Sequence, residues 1–225
     1  MINRALLQAL QHADSAFPSG NFAFSQGLEG SAAMMASEGR FDVKAFVRVQ
    51  LHHRWLNADR VALIRAHRAH GRIEEICALD EEVEFSTPAA AMRDGSRRNG
   101  QALLVAHDRL GSIEASRYRM LDRGEGAHGH LAVMQGYLWG GAGMELDTAV
   151  AVSAYQCASS LCMAAVRLGL IGALETQRLL AELLLDLGDT ATGQVADNDP
   201  LTSFTPLAEI AAMNHGRSGQ RLFSN

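Results

Sequence analysis

Little in this chain suggests β-structure. Few segments alternate apolar and polar residues at a period of two, and Ala, Leu, Met, Glu and Arg outnumber the β-branched types, a balance that favours helices. Proline is scarce, four in 225 residues, so each one marks a boundary. Cysteine is scarcer: Cys77, Cys157 and Cys162 have no metal-knuckle spacing, and an odd number argues against a disulfide framework. Reduced thiols in a cytoplasmic setting are the expectation. Positive charge is not in excess. The net charge of −5 leaves no basic footprint for nucleic acid. Long apolar runs are also missing. The most apolar region, 154–174, is interrupted by Gln156, Ser159, Ser160 and Arg167, which makes it a buried helix rather than a membrane span. The opening MINRALLQALQHAD carries Gln8, Gln11 and His12 where a secretory signal would be apolar.

What is present is a chain of ordinary globular make-up, 48% hydrophobic and 20% charged, long enough for one domain with a substantial core. Residues 42–69 place Val43, Phe46, Val47, Leu51 and Trp55 on one helical face, with Asp42 as N-cap and Gly71 as the stop. Thr87-Pro88 reads as the start of a helix that runs towards Leu110, weakened by Gly95 and Gly100. Helices are expected over 127–138, 146–168, 173–188 and 206–213. The expected fold class is all-α: a single-domain helical bundle of about seven to ten helices over 1–225. A mobile loop 188–203 and a C-terminal tail 214–225 complete that expectation.

Several short motifs carry chemistry only in the right setting. GEGAHG, Gly124 to Gly129, has the letters of a dinucleotide-binding turn, but a charged helical segment precedes it where a strand is required. GSRRNGQA, Gly95 to Ala102, has P-loop glycine spacing without the lysine that contacts phosphate. His67 and His70 share a helix face with Glu74, and His128 and His130 form a second pair. These four are the candidate metal ligands, although neither pair matches a helical zinc motif. Surface or helix-capping histidines are the plainer reading. No nucleophile elbow is present, and no cysteine has a sequence-adjacent base. No catalytic residue and no cofactor is expected.

The two ends hold the most specific features. HADSAFPSGNFAFSQGLEG, residues 12–30, sets a rigid turn at Pro18 and then leads with Phe22 and Phe24. At the other end, MNHGRSGQRLFSN puts Arg221, Leu222 and Phe223 on a glycine-rich segment. Such a cluster suits an anchor that orders on a partner. Folding back onto the chain's own body is the competing reading for the tail, and a core position the competing reading for the aromatics.

The first of these segments resembles the N-terminal signature of the urease accessory protein UreF family, D-S-x-x-P-x-G-G-F-x-x-S-x-G-L-E. TPLAEIAAMNHGRSGQRLF is similar to the family's C-terminal signature, with Met213, His215 and the final Arg-Leu-Phe. AVRLGLIGALETQRLLAEL resembles its A-V-R-L-G-P-L-G-Q-T segment, with Leu170 and Ala173 as departures. Asn21 and Gly216 depart from the other two signatures. The resemblance implies an all-α, often dimeric, cytoplasmic protein with no catalysis of its own. It further implies partners: a UreD/UreH-type protein, the GTPase UreG and apo-urease, in GTP-dependent nickel insertion, with a regulating role towards the GTPase. Phe22, Phe24, His215, Arg221, Leu222 and Phe223 are then the candidate partner-binding residues. Two alternatives belong to other classes: a direct nickel-binding metallochaperone using surface histidines, and a helical metal-dependent hydrolase.

Overall fold

The computed structural model describes residues 4–20, 24–36, 39, 41–121, 126–191, 193–215 and 222–223, with only the backbone of His215. Among these residues there are ten helices and no strand, so the all-α expectation holds. They are α1 (Arg4–Ala13), α2 (Leu28–Met34), α3 (43–68), α4 (Ile73–Ser86), α5 (Ala90–Arg109), α6 (Ile113–Arg119), α7 (Leu131–Gly141), α8 (Leu146–Arg167), α9 (Ala173–Thr190) and α10 (Pro206–His215).

The Asp42 carboxylate caps α3 by accepting the N–H of Ala45 at 2.9 Å, as the sequence requires. All five residues of the expected face, Val43 to Trp55, are buried. The middle of α3, Leu51–Asp59, is a π-helix. The wider turn changes which side chains point inward, and Arg54 enters the interior beside Trp55.

The central helix is α7, whose residues 132–140 are all buried. Its glycines permit the close approach of α3: a Cβ on Gly136 would stand 2.2 Å from the Leu63 carbonyl oxygen. The apolar core divides around it. One part joins the first half of α3 with α8 and α9, and another joins the second half of α3 with α4, α5, α6 and α7. Among the described residues α8 alone is long and apolar enough to cross a membrane, and half of its apolar window is buried inside the fold.

Three boundaries differ from the sequence reading. Thr87 does not open α5; it closes α4, where its hydroxyl donates to the Val83 carbonyl at 2.9 Å, and α5 begins at Ala90. Residues 127–130 are not helical, and the backbone N–H groups of 128–130 turn towards the carboxylate of Asp80. α9 runs through Gly188 to Thr190, since an exposed glycine weakens a helix without ending it.

Candidate partner-binding surface

Residues 14–20 and 24–29 build a platform. The Asp14 carboxylate accepts the Ala16 N–H at 2.8 Å, and Gly20 takes a left-handed backbone with φ +75°. Gln26 and Gly27 are both left-handed, at φ 50° and 82°, which turns the chain sharply into α2. α10 then lies across α2 at close range. A Cβ on Gly27 would meet the Ala208 carbonyl oxygen at 2.4 Å, and one on Gly30 the Ala211 carbonyl oxygen at 2.6 Å. Only glycine permits that crossing.

This packing divides α10 into two faces. Ala208, Ala211 and Ala212 are buried, while Leu207, Ile210 and Met213 are exposed at spacings of three, with Phe204 exposed just before the helix. The large apolar side chains therefore face solvent and the small ones face the fold. The tail returns to the same platform. The Glu29 carboxylate accepts the N–H of Leu222 at 2.9 Å and that of Phe223 at 3.3 Å. The Phe223 ring is buried, with the Arg167 guanidinium 4.1 Å from its centroid.

The six candidate partner-binding residues thus have different fates. Phe24 is buried in the fold, its ring against the glycine gap at Gly95, where a Cβ would stand 2.1 Å away. Phe223 is buried as well. For these two the core reading replaces the contact-surface reading, because each fills a gap within its own chain. Leu222 is exposed. Phe22, Arg221 and the side chain of His215 lie outside the described residues. The exposed row on α10 was not singled out from the sequence, although the spacing 204, 207, 210, 213 is legible there.

The histidine pairs are bonded within the fold. His67 Nε2 donates to the Met144 carbonyl at 2.7 Å, and His70 Nδ1 donates to the His67 carbonyl at 2.7 Å. His130 is fully buried; Nε2 donates to Glu84 at 2.9 Å and Nδ1 pairs with the Ser96 hydroxyl at 3.1 Å. Burial lowers its pKa despite the attraction of Asp80 and Glu84, which favours the neutral ring. His128 Nδ1 approaches the same Glu84 carboxylate at 4.0 Å. The two pairs do not converge, and no group of three or more candidate ligands that could hold a metal occurs among the described residues.

The glycine loop also has its anion, and it is internal. Asp80, fully buried, accepts the N–H groups of His128 and Gly129 at 2.6 Å and of His130 at 2.9 Å, together with the Tyr118 hydroxyl at 2.5 Å. A protein carboxylate thus occupies the N-terminus of α7, the place a phosphate would take in a nucleotide site. Burial and the Asp80 charge raise the Tyr118 pKa, so its proton stays on the phenol. In the other glycine motif Arg97 is paired within the fold, since it meets Glu84, as does Arg93 one turn earlier.

Comparison with known proteins agrees with this arrangement. The family model UreF matches residues 39–184. The chain belongs to the UreF family. The protein named urease accessory protein UreF of Trichodesmium erythraeum is 29% identical over 97% of this chain and 96% of its own length. Proteins of the same name from Kocuria rhizophila and Bacillus sp. strain TB-90 are each 30% identical over 97% of this chain, and over 96% and 98% of their own lengths. These names describe an accessory protein, not an enzyme. The three segments that carry the family signatures, distant in sequence, meet at the tail: Glu29 from the first, Arg167 from the second and Phe223 from the last.

Proposed function

We propose that this chain is a non-catalytic scaffold in urease maturation, joining a UreD/UreH-type protein and the GTPase UreG on apo-urease so that GTP-dependent nickel insertion can proceed. It works in the cytoplasm, as a homodimer. The observation that carries the reading is α10: its small residues pack on α2 while Leu207, Ile210 and Met213 stand in solvent, beside a platform that also holds the tail. A row of large apolar side chains at helical spacing, on a rigid support, is the form of a helix-to-groove contact. The UreD/UreH-type protein is the partner assigned to this face, with Leu222 at its edge. Truncation of residues 216–225 and the substitution Ile210→Asp are the test, read by co-purification with that partner and by helical circular dichroism. Both should lose the partner and keep the helical signal. Unchanged co-purification by both variants would remove this surface from the assembly.

A further inference from the structure

Little apolar surface holds α1 to the fold. Of its ten residues Ala9 and His12 are buried, while Leu6, Leu7 and Leu10 stand in solvent. Ala9 sits in the apolar cluster of Val61, Trp139 and Val152. His12 supplies further ties. Its ring faces His107 of α5, packs on Phe17 with centroids 4.8 Å apart, and meets Trp139 of α7 edge-on at 5.9 Å. Its carbonyl accepts the Gln156 amide of α8 at 2.6 Å. Phe17 also meets His107, at 6.0 Å, so the same two imidazoles fix both the helix and the turn that follows it. One of the two residues that α1 buries is therefore ionisable.

The contact suits a neutral pair. His12 Nδ1 donates to the Gln8 carbonyl, which leaves Nε2 as the acceptor. A proton added to His12 goes onto that Nε2 and sets two N–H groups against each other. A proton added to His107 places a charge among Phe17, Trp139 and His12, away from water. Glu114 of α6 is the charged group that bears on the pair, and its attraction for a charged His107 is outweighed by burial and by His12. The other neighbours are uncharged: Gln8 of α1 itself, Val61 of α3, Trp139 of α7 and Gln156 of α8.

We propose that the His12–His107 contact is an acid-operated latch, which holds α1 and residues 14–20 on the fold while both rings are neutral and releases them, with the core intact, when a proton enters the pair. Release gives each imidazole the water that its charged form needs, and α1 gives up little buried surface in leaving. Residues 14–20 are one side of the platform, so the platform is complete only with the latch closed. Linkage sets the size of the effect. A histidine held near pKa 4 in the closed form and near 6.5 in the open one favours closure above pH 6.5 and loses that hold as pH falls. For His107 alone, opening should rise about 30-fold from pH 7.5 to pH 5.0. The latch is a property of the isolated chain and does not rest on the partner assignment.

Hydrogen exchange of the full chain at pH 7.5 and pH 5.0, corrected for intrinsic rates, is the test. Protection of α1 should fall at least about 30-fold at pH 5.0 while α7 keeps its own. His107→Gln keeps an amide donor for His12 and removes one proton site, so its α1 response should be several-fold smaller. Unchanged α1 protection, equal loss in α1 and α7, or the full response in His107→Gln would each overturn the proposal. If His107→Gln does not fold, an acid titration of the parent decides, because Trp139 lies against His12. Tryptophan emission should change at a higher pH than helical circular dichroism; coincident changes mean that acid unfolds the whole chain and that no latch exists.

Discussion

His12 and His107 face each other nitrogen to nitrogen, with their Nε2 atoms 3.2 Å apart and both rings buried. His12 Nδ1 donates to the Gln8 carbonyl at 2.9 Å, which leaves its Nε2 as the acceptor for the Nε2–H of His107. The contact ties α1 to α5. It matters because α1 otherwise turns Leu6, Leu7 and Leu10 to solvent and buries only Ala9 beside His12.

That pair gives the fold a defined acid sensitivity. Burial lowers the pKa of both rings, that of His107 to about 4, with the proximity of His12 as a second cause. A histidine whose folded pKa is depressed adds stability above its unfolded pKa, near 6.5, and that stability is lost as pH falls towards the folded value. The window is therefore pH 6.5 down to about 4 for His107. A shift of this size corresponds to roughly 3 kcal/mol. Urea unfolding at pH 7.5 and pH 4.5 should show His107→Gln losing clearly less stability between the two than the parent chain. Equal losses would show that the imidazole pair does not set the acid response.

Asp80 should be the most sensitive polar position in the fold. Asparagine there keeps one acceptor oxygen but turns N–H donors towards the loop N–H groups that Asp80 now satisfies. We expect Asp80→Asn to cost about 2–4 kcal/mol in urea unfolding, against about 1 kcal/mol for Tyr118→Phe, which removes the bond donated to Asp80 and the one accepted from Gly129, whose N–H keeps Asp80 as acceptor. A loss below about 0.5 kcal/mol for Asp80→Asn would mean that other groups hold residues 128–130.

How much of this was legible in the sequence follows from where each determinant lies. The face Val43 to Trp55 was readable because neighbours on one helix set it, and the Asp42 cap because it acts three residues away. Thr87 misled because a threonine before proline suits the end of one helix as well as the start of the next. The loop 127–130 read as helix although Gly129, left-handed at φ 78°, is a local break; what fixes the course of the loop is Asp80, more than forty residues earlier. Phe24 and Phe223 have ordinary anchor chemistry, and their burial depends on gaps at Gly95 and beside Arg167 that only the folded chain creates. Arg54 gave no signal at all, since a π-turn has no simple sequence period.

The glycines separate into those that space is built around and those that are incidental. A Cβ on Gly100 would stand 2.0 Å from the Gly129 carbonyl oxygen, against backbone that cannot swing aside, whereas one on Gly188 would meet nothing within 4 Å. Gly100→Ala should therefore destabilise by about 2–3 kcal/mol or more through overpacking. Gly188→Ala, within α9, should stabilise by roughly 0.5–1 kcal/mol through helix propensity. Thermal unfolding of the two variants gives shifts of opposite sign; a common sign would show that α5 does not approach the loop before α7 as described.

The tail contact predicts a separation between stability and anchoring. Glu29 holds residues 222 and 223 by accepting two successive backbone N–H groups, while Phe223 is seated against Arg167 and the core of α8 and α9. Glu29→Ala removes both acceptors and leaves the Phe223 seat intact; Phe223→Ala does the reverse. Carboxypeptidase trimming should accelerate in both variants, because either loss shifts the docked tail towards its open form. The global transition should move further for Phe223→Ala, since a buried aromatic contributes more than two bonds at the surface. Trimming at the parent rate in both variants would show that the C-terminal residues are not held on α2, and the convergence of Glu29, Arg167 and Phe223 would then have no part in presenting the tail.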